Sequence, residues 1–85
     1  MSDLDVLGLT AGEKVRFRRR EGGRWHVGVV RGREADGSLA IRDEKGAARA
    51  LPLDRVEVAA PGPRGARGWE PVTERAARTE QMRLL

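Results

Sequence analysis

The sequence contains no cysteine, which excludes a disulfide framework and any metal site built from thiolates. Stability must then come from packing and backbone hydrogen bonds, and the composition fits a reducing, cytoplasmic setting. The N-terminus carries Asp3 and Asp5 where a secretory signal has bases, and no apolar run approaches the roughly 18 residues of a membrane span. We therefore expect a soluble, unprocessed chain without a membrane partner.

Aromatic and histidine side chains are also scarce. Phe17, Trp25 and Trp69 are the only aromatic residues, and His26 is the only histidine. A general base or a metal site needs its histidine beside an orienting acid or further ligands, and the sequence has no P-loop, dinucleotide fingerprint or nucleophile elbow. We therefore predict no catalytic residue, no metal and no cofactor; only His26 buried beside an acid in a cleft would argue for an enzyme.

Positive charge, in contrast, is concentrated in one segment. The whole chain of 85 residues has a formal charge of +4, but residues 14–33 alone carry eight Lys or Arg against one Glu. Of the 17 basic residues, 15 are Arg, whose planar guanidinium suits bidentate phosphate contacts. A codon bias toward Arg would explain that ratio but not the clustering, and clustered charge attracts polyanions.

The same basic segment can enter a core. Val15 and Phe17 alternate with Arg16 and Arg18 over residues 14–19, at the period of a strand with one wet face. A second strand is predicted over residues 25–33, with a bend at Gly28. Both sets of alternate residues in this strand, its two phases, are apolar, so the sequence does not decide which phase faces the core. The two phases hold Trp25, Val27 and Val29 on one side and Gly28 and Val30 on the other.

Turn residues divide the following segment into short strands. Asp36-Gly37 predicts a hairpin, and Pro52, which has no amide proton, ends a strand before a helical turn over residues 53–55. Together with the two basic strands this predicts a mainly β, five-stranded antiparallel fold in a chain large enough for one small domain. The further strands are predicted over residues 39–42, 47–51 and 56–58.

The two ends of the chain differ from this central part. Residues 1–11 form an arm in which either Val6 with Leu9, or Leu4 with Leu7, would lie on one side of a short turn. Residues 59–68 have the Pro and Gly composition of a flexible linker, and residues 69–85 favour a short helical tail. We expect that helix to dock on its own domain or on a partner, and Trp69 either to bind the partner or to cover an open end of the domain. The candidate docking residues are Trp69, Met82, Leu84 and Leu85.

Residues 12–58 contain the turn and strand residues of a known type of small domain. These residues are Gly12, Val15 and Phe17, the run from Trp25 to Val30, Asp36-Gly37, Asp43 with Gly46, and the run from Pro52 to Val56. Their order resembles that of SH3-like barrels of the Tudor and KOW type. The resemblance implies a closed five-stranded barrel and, as in KOW-like and related bacterial modules, a role in binding RNA, DNA or the transcription and translation machinery.

One departure from the Tudor pattern argues against binding of methylated side chains. Tudor readers hold an alkylated ammonium in an aromatic cage, whereas His26 and Glu44 stand where cage residues would be expected. A complete cage is therefore not predicted.

The leading hypothesis is a non-enzymatic nucleic-acid-binding domain that contacts phosphates through an arginine-rich strand face, with Trp25 available to stack on a base. Two alternatives stay open: the arginines pair with Glu21, Glu34 and nearby acids on a solvated face with Trp25 at the core edge, or the chain is a protein adaptor in transcription, translation or repair. The candidate nucleic-acid-binding residues are Arg16, Arg18, Arg20, Arg24, Trp25, Arg31 and Arg33.

Overall fold

The computed structural model describes residues 3–61 and 67–83, which form one six-stranded antiparallel sheet and a C-terminal helix. The strand order is β4-β3-β2-β1-β5-β6, so β4 and β6 are the edges. No helix in these residues is long and apolar enough to cross a membrane. The strands β1 to β6 are Lys14–Phe17, His26–Arg33, Leu39–Asp43, Ala48–Leu51, Val56–Pro61 and Arg67–Pro71, and the helix α1 is Val72–Arg83.

The predicted closed five-stranded barrel is wrong, because the sheet is open and has a sixth strand. That strand arises where the sequence predicted a linker: β5 continues to Pro61, and Ala59 and Ala60 pair with Trp69 and Gly68 of β6. Backbone pairing needs no large apolar side chains, and a proline is tolerated at the end of a strand. The rest of the predicted linker, residues 62–66, lies outside the described residues.

One face of the sheet is buried. Two short 3-10 turns accompany the sheet: Asp5–Leu7 in the arm before β1, and Leu53–Arg55 between β4 and β5. Of the two residue pairs predicted to lie on one side of the arm, Leu4 and Leu7 are both buried, while Val6 of the other pair is 46 % exposed. The buried apolar residues are Leu4, Leu7, Leu9, Val15, Phe17, Val30, Leu39, Ile41, Val56, Val58 and Val72.

The strand register settles which side of β2 faces the core. His26 lies opposite Phe17 and Gly28 opposite Val15, so that phase, which ends at the buried Val30, points inward. Val27, 40 % exposed, lies on the other face. The pairing of β2 with β3 shifts register between Val30 and Gly32, two residues beyond the predicted bend at Gly28.

Gly28 instead allows β2 and β3 to approach closely. A Cβ atom at this position would lie 2.5 Å from the carbonyl oxygen of Arg42 and 2.9 Å from Cγ2 of Ile41. Any side chain larger than hydrogen would push the two strands apart.

Helix α1 docks on its own sheet and on the arm. Val72 is fully buried and Ala76 packs against the core. The Nη1 of Arg75 donates to the carbonyl oxygen of Gly8 and to a carboxylate oxygen of Glu13, both at 3.1 Å, and its Nε donates to Glu70 at 3.1 Å. One guanidinium thus joins the helix to the arm, to the residue before β1, and to β6. Of the predicted docking residues at the helix end, Met82 is 64 % exposed, and Leu84 and Leu85 lie outside the described residues.

Candidate functional site

The face of the sheet opposite the core, which we call the open face, carries two indole rings and two guanidinium groups close together. Strand register explains why they meet. Arg16 of β1 lies opposite Glu57 of β5, and Ala59, two residues along β5 and so on the same face, lies opposite Trp69 of β6. We call this group the indole–guanidinium cluster; its members are Arg16, Arg18, Trp25 and Trp69.

Arg16 is at the centre of the cluster. Its guanidinium carbon lies 4.1 Å from the ring centre of Trp25 and 5.0 Å from that of Trp69. Its Nε donates to Oε1 of Glu57 at 2.7 Å, and its Nη2 lies 2.5 Å from the same oxygen. Both partners are about three-quarters buried, with side-chain exposures of 27 % and 24 %. The charge of Arg16 is therefore compensated by Glu57, and its main effect is to hold the two rings.

Arg18 differs from Arg16 in having no carboxylate partner among the described residues. Its guanidinium carbon lies 4.0 Å from the ring centre of Trp25, which is the contact that holds it. Trp25 is partly exposed and does not belong to the buried core. The hypothesis that Trp25 lies at the core edge is therefore not supported; its ring packs against two arginines.

A cleft of about 400 Å³ lies beside Trp25 at the end of β1. Three bases, Arg18, Arg20 and Arg55, contribute to its wall, together with the acids Glu21, Asp54 and Glu57. Glu57 already pairs with Arg16. The cleft is therefore polar and of mixed charge.

Two of the predicted arginines project freely near this cleft or next to Trp25. The side chains of Arg20 and Arg24 are exposed and, within residues 3–61 and 67–83, make no hydrogen bond or ion pair. Glu21 and Glu34, two of the acids named in the solvated-face alternative, form no ion pair with the arginines in this part of the chain. Arg16 does pair with a nearby acid, Glu57, as that alternative expects, whereas, among the described residues, Arg20 and Arg24 do not.

Arg31 and Arg33 lie away from the cluster, at the other end of β2. Arg31, exposed, is five residues beyond His26, which at the rise of a strand is roughly 17 Å. Arg33 lies opposite the buried Leu39 and its Nε donates to the carbonyl oxygen of Gly37 at 3.2 Å, so it stabilises the β2–β3 turn. Of the seven predicted nucleic-acid-binding residues, the fold thus brings Arg16, Arg18 and Trp25 together and places Arg31 and Arg33 elsewhere.

His26 lies beside an acid, as the catalytic alternative would require. Its Nδ1 is 3.3 Å from Oε1 of Glu44, whose Oε2 accepts the backbone N–H of Val27 at 3.3 Å, and its ring stacks on Phe17 at a centroid distance of 5.6 Å. Hydrogen bonding to its own backbone amide, and then to His26, lowers the pKa of Glu44. His26 is not in the wall of the cleft beside Trp25. The pair ties the β3–β4 turn to the start of β2, which is a structural role.

The largest pKa shift belongs to a carboxylate that the sequence indicated only as a turn residue. Asp43 accepts hydrogen bonds from Nε of Arg49 at 2.7 Å and from the backbone amides of Ala47 and Lys45, each at 2.9 Å. The bond from Arg49, followed by that from Ala47, lowers the pKa of Asp43 to about 2. The described residues hold no group of three or more His, Asp or Glu side chains suited to a metal ion. Asp43 therefore closes the β3–β4 turn.

Sequence reasoning missed Glu57 and the membership of Trp69 in the cluster. Arg16 and Glu57 are 41 residues apart, and Trp69 lies in what resembled a separate tail. No local pattern signals either contact, because both depend on the pairing of β1 with β5 and of β5 with β6. Comparisons of the chain with protein-family models, with curated proteins and with solved structures found no match.

Proposed function

We propose that this protein is a non-enzymatic nucleic-acid-binding domain whose open face contacts backbone phosphates through arginine side chains. The observation that carries the proposal is the indole–guanidinium cluster, flanked by the unpaired side chains of Arg20 and Arg24. Guanidinium groups without carboxylate partners are free to bind phosphate oxygens, and neighbouring aromatic rings suit bases. The resemblance of residues 12–58 to SH3-like barrels and a cytoplasmic location both stay predictions.

The arginines divide into different roles under this proposal. Arg18, Arg20 and Arg24 supply phosphate contacts, and Arg31 is available for a further contact along β2. Arg16 is bound to Glu57 and Arg33 to the β2–β3 turn, so neither adds much to the electrostatic attraction. Phosphate contacts of this kind give affinity with little base specificity.

Salt dependence tests the proposal directly. Fluorescein-labelled 12-nucleotide RNA and DNA, single-stranded and duplex, would be titrated with protein at 50 and 200 mM salt, with fluorescence anisotropy as the readout. Each phosphate that loses its arginine partner should reduce the slope of log affinity against log salt by about 0.7 to 0.9. The variant Arg18→Gln/Arg20→Gln should therefore bind more weakly and with a shallower slope.

A matched variant controls for net charge. Lys45→Gln/Arg83→Gln removes the same two charges from exposed positions outside the cluster, so it should retain most of the affinity. No binding of any of the four ligands at 50 mM salt would overturn the proposal, as would equal losses in the two double variants.

The exposed side of α1 supports a second candidate function, that of a protein adaptor. A groove of about 500 Å³ runs between the helix and the arm, with Ala77 in its wall and Val6, 46 % exposed, at its side. Truncation after residue 60 is not a sound test, because it would remove β6, the buried Val72 and Arg75. A pull-down with Ala77→Glu is the better experiment: loss of a specific protein, with nucleic-acid affinity weak in both chains, would favour the adaptor.

A further inference from the structure

Both tryptophans of this small protein lie on the open face, and neither joins its core. The chain has two tryptophans, and the fully buried side chains in the described residues include neither. Burying an indole ring would be a large gain for a core this small. The fold instead places both rings, partly exposed, on the open face beside Arg16 and Arg18.

The two rings have a fixed relation to each other. Since one guanidinium carbon lies 4.1 Å from the first ring centre and 5.0 Å from the second, the ring centres are no further apart than the sum of these distances. Glu57 holds that guanidinium in place through Nε and Nη2. Arg16 is therefore a positioning residue for two aromatic surfaces that neighbouring bases of one strand can reach together.

The open face is also unsuited to the grooves of a duplex. Reading a major groove commonly uses a protruding helix or ribbon, but α1, the α-helix of the described residues, packs on the covered side through Val72 and Ala76. In a duplex the bases are stacked on one another, so their π-faces are not accessible to protein rings. In a single strand those faces are exposed, and aromatic stacking is the usual mode of binding.

We infer that the nucleic acid bound by this protein is single-stranded, and that Trp25 and Trp69 stack on its unpaired bases. The inference rests on the proposed nucleic-acid function and names its substrate class. Arg18, whose one partner within residues 3–61 and 67–83 is the Trp25 ring, can turn toward a phosphate when a base takes its place on that ring. The charge and the stacking surface then act on the same two or three nucleotides.

Intrinsic fluorescence provides a specific readout, because Trp25 and Trp69 are the only tryptophans. Protein would be titrated with 12-nucleotide oligo-dT, with oligo-U, and with the duplex of oligo-dT and oligo-dA at one salt concentration. We expect the single strands to quench the emission and to bind on the order of 10-fold more tightly than the duplex. A further titration with oligo-dU, which has the base of oligo-U and the sugar of oligo-dT, identifies the preferred sugar.

Substitutions of Trp69 separate stacking from charge. Trp69→Leu keeps an apolar side chain without a ring and should weaken single-strand binding on the order of 10-fold or more, whereas Trp69→Phe should retain most of the affinity. Neither change removes a charge, so the salt slope should stay at its wild-type value in both. Thermal melting followed by circular dichroism would confirm that both variants are folded.

The positioning role of Arg16 is tested by a double substitution that leaves the net charge of the protein unchanged. Arg16→Gln/Glu57→Gln removes the ion pair together, so it should leave the salt slope unchanged while it reduces fluorescence quenching and single-strand affinity. A merely structural role would lower the melting temperature without changing the quenching of the folded protein.

Failure of the inference can be distinguished from failure of the proposed function. Duplex binding as tight as single-strand binding, or full affinity in Trp69→Leu, would overturn the single-strand inference. The proposed function would survive if Arg18→Gln/Arg20→Gln still reduced the salt slope. Absence of binding to every oligonucleotide at low salt would remove both.

Discussion

The covered and open sides of the sheet each contain an arginine held by a carboxylate, but the two arginines do different things. On the covered side, Arg75 directs its donors at fixed acceptors: Gly8, Glu13 and Glu70. On the open face, Arg16 has one carboxylate, Glu57, and its flat surfaces lie against tryptophan rings.

The difference shows that pairing alone does not define the role of an arginine. Arg75 is 17 % exposed and connects segments that are distant in sequence, so it stabilises the tertiary structure. Arg16 is 27 % exposed and lies beside unpaired cations. The same side chain serves stability on one side of the sheet and, under the proposal above, presentation of aromatic rings on the other.

Substituting Arg75 should have the largest effect on stability. Arg75→Met keeps the aliphatic stem but leaves Glu13 and the carbonyl of Gly8 without this donor and Glu70 with Arg78 alone, so we expect a loss of about 2–4 kcal/mol. Arg16→Met is the matched change on the open face, where a single carboxylate loses its arginine, and it should cost less, about 1–2 kcal/mol. Urea denaturation of both variants measures the difference, and equal losses would contradict the comparison.

Gly28→Ala tests the close approach of β2 and β3 within the sheet that separates the two sides. The added methyl group would meet the backbone of Arg42 and the side chain of Ile41, so we expect a loss of about 1–3 kcal/mol. Gly32→Ala is the control on the same strand, because a Cβ atom there has no neighbour within 4 Å. Thermal melts of the two variants should differ by several degrees, and equal melting temperatures would show that β2 and β3 separate at little cost.

Acid should destabilise the protein progressively, with smaller effects than those of the substitutions above. Hydrogen bonds from Arg78 first, and from Arg75, lower the pKa of Glu70, and the pKa of Asp43 falls to about 2. A carboxylate whose pKa is lower in the folded state than in the unfolded state stabilises the fold at pH values above its unfolded-state pKa. That contribution is lost as the pH falls through its folded-state pKa. Stability should therefore decline from about pH 4.5 to pH 2.

Single amides measure the two contributions. Glu70→Gln and Asp43→Asn should each make the decline shallower, and Asp43→Asn should remove the part that extends toward pH 2. Both are measured as the free energy of unfolding between pH 7 and 2. A profile in Asp43→Asn identical to that of the wild type would mean that the bond from Arg49 does not persist in solution.

Much of the central fold was predictable from local patterns. The alternation of Val15 and Phe17 with arginines, the Asp36-Gly37 turn and Pro52 placed the first four strands and the turn after them within a few residues. Local patterns failed at β6, because small residues and prolines obscured a hairpin whose partner strand lies next to it in sequence. They failed also for β2, because both of its phases are apolar. Only its pairing with Phe17 and Val15 of β1 decides which phase faces the core.

The candidate site was predictable only in its composition. Clustered arginines and the scarcity of catalytic residues are properties of the sequence, and they indicated a binding protein before any contact was known. Which arginines are free and which are compensated depends on contacts between residues far apart in the chain, such as Arg16 with Glu57.

By itself the sequence determined a small, mainly β protein with its positive charge in one segment, because alternation and turn residues act over a few positions. The tertiary structure alone decided that the sheet is open, that Arg75 joins the two ends of the chain, and that Trp69 meets Arg16. Those outcomes depend on which strands lie side by side, and strand pairing is set by the burial of a whole face and by backbone hydrogen bonds, not by the residues of any one segment.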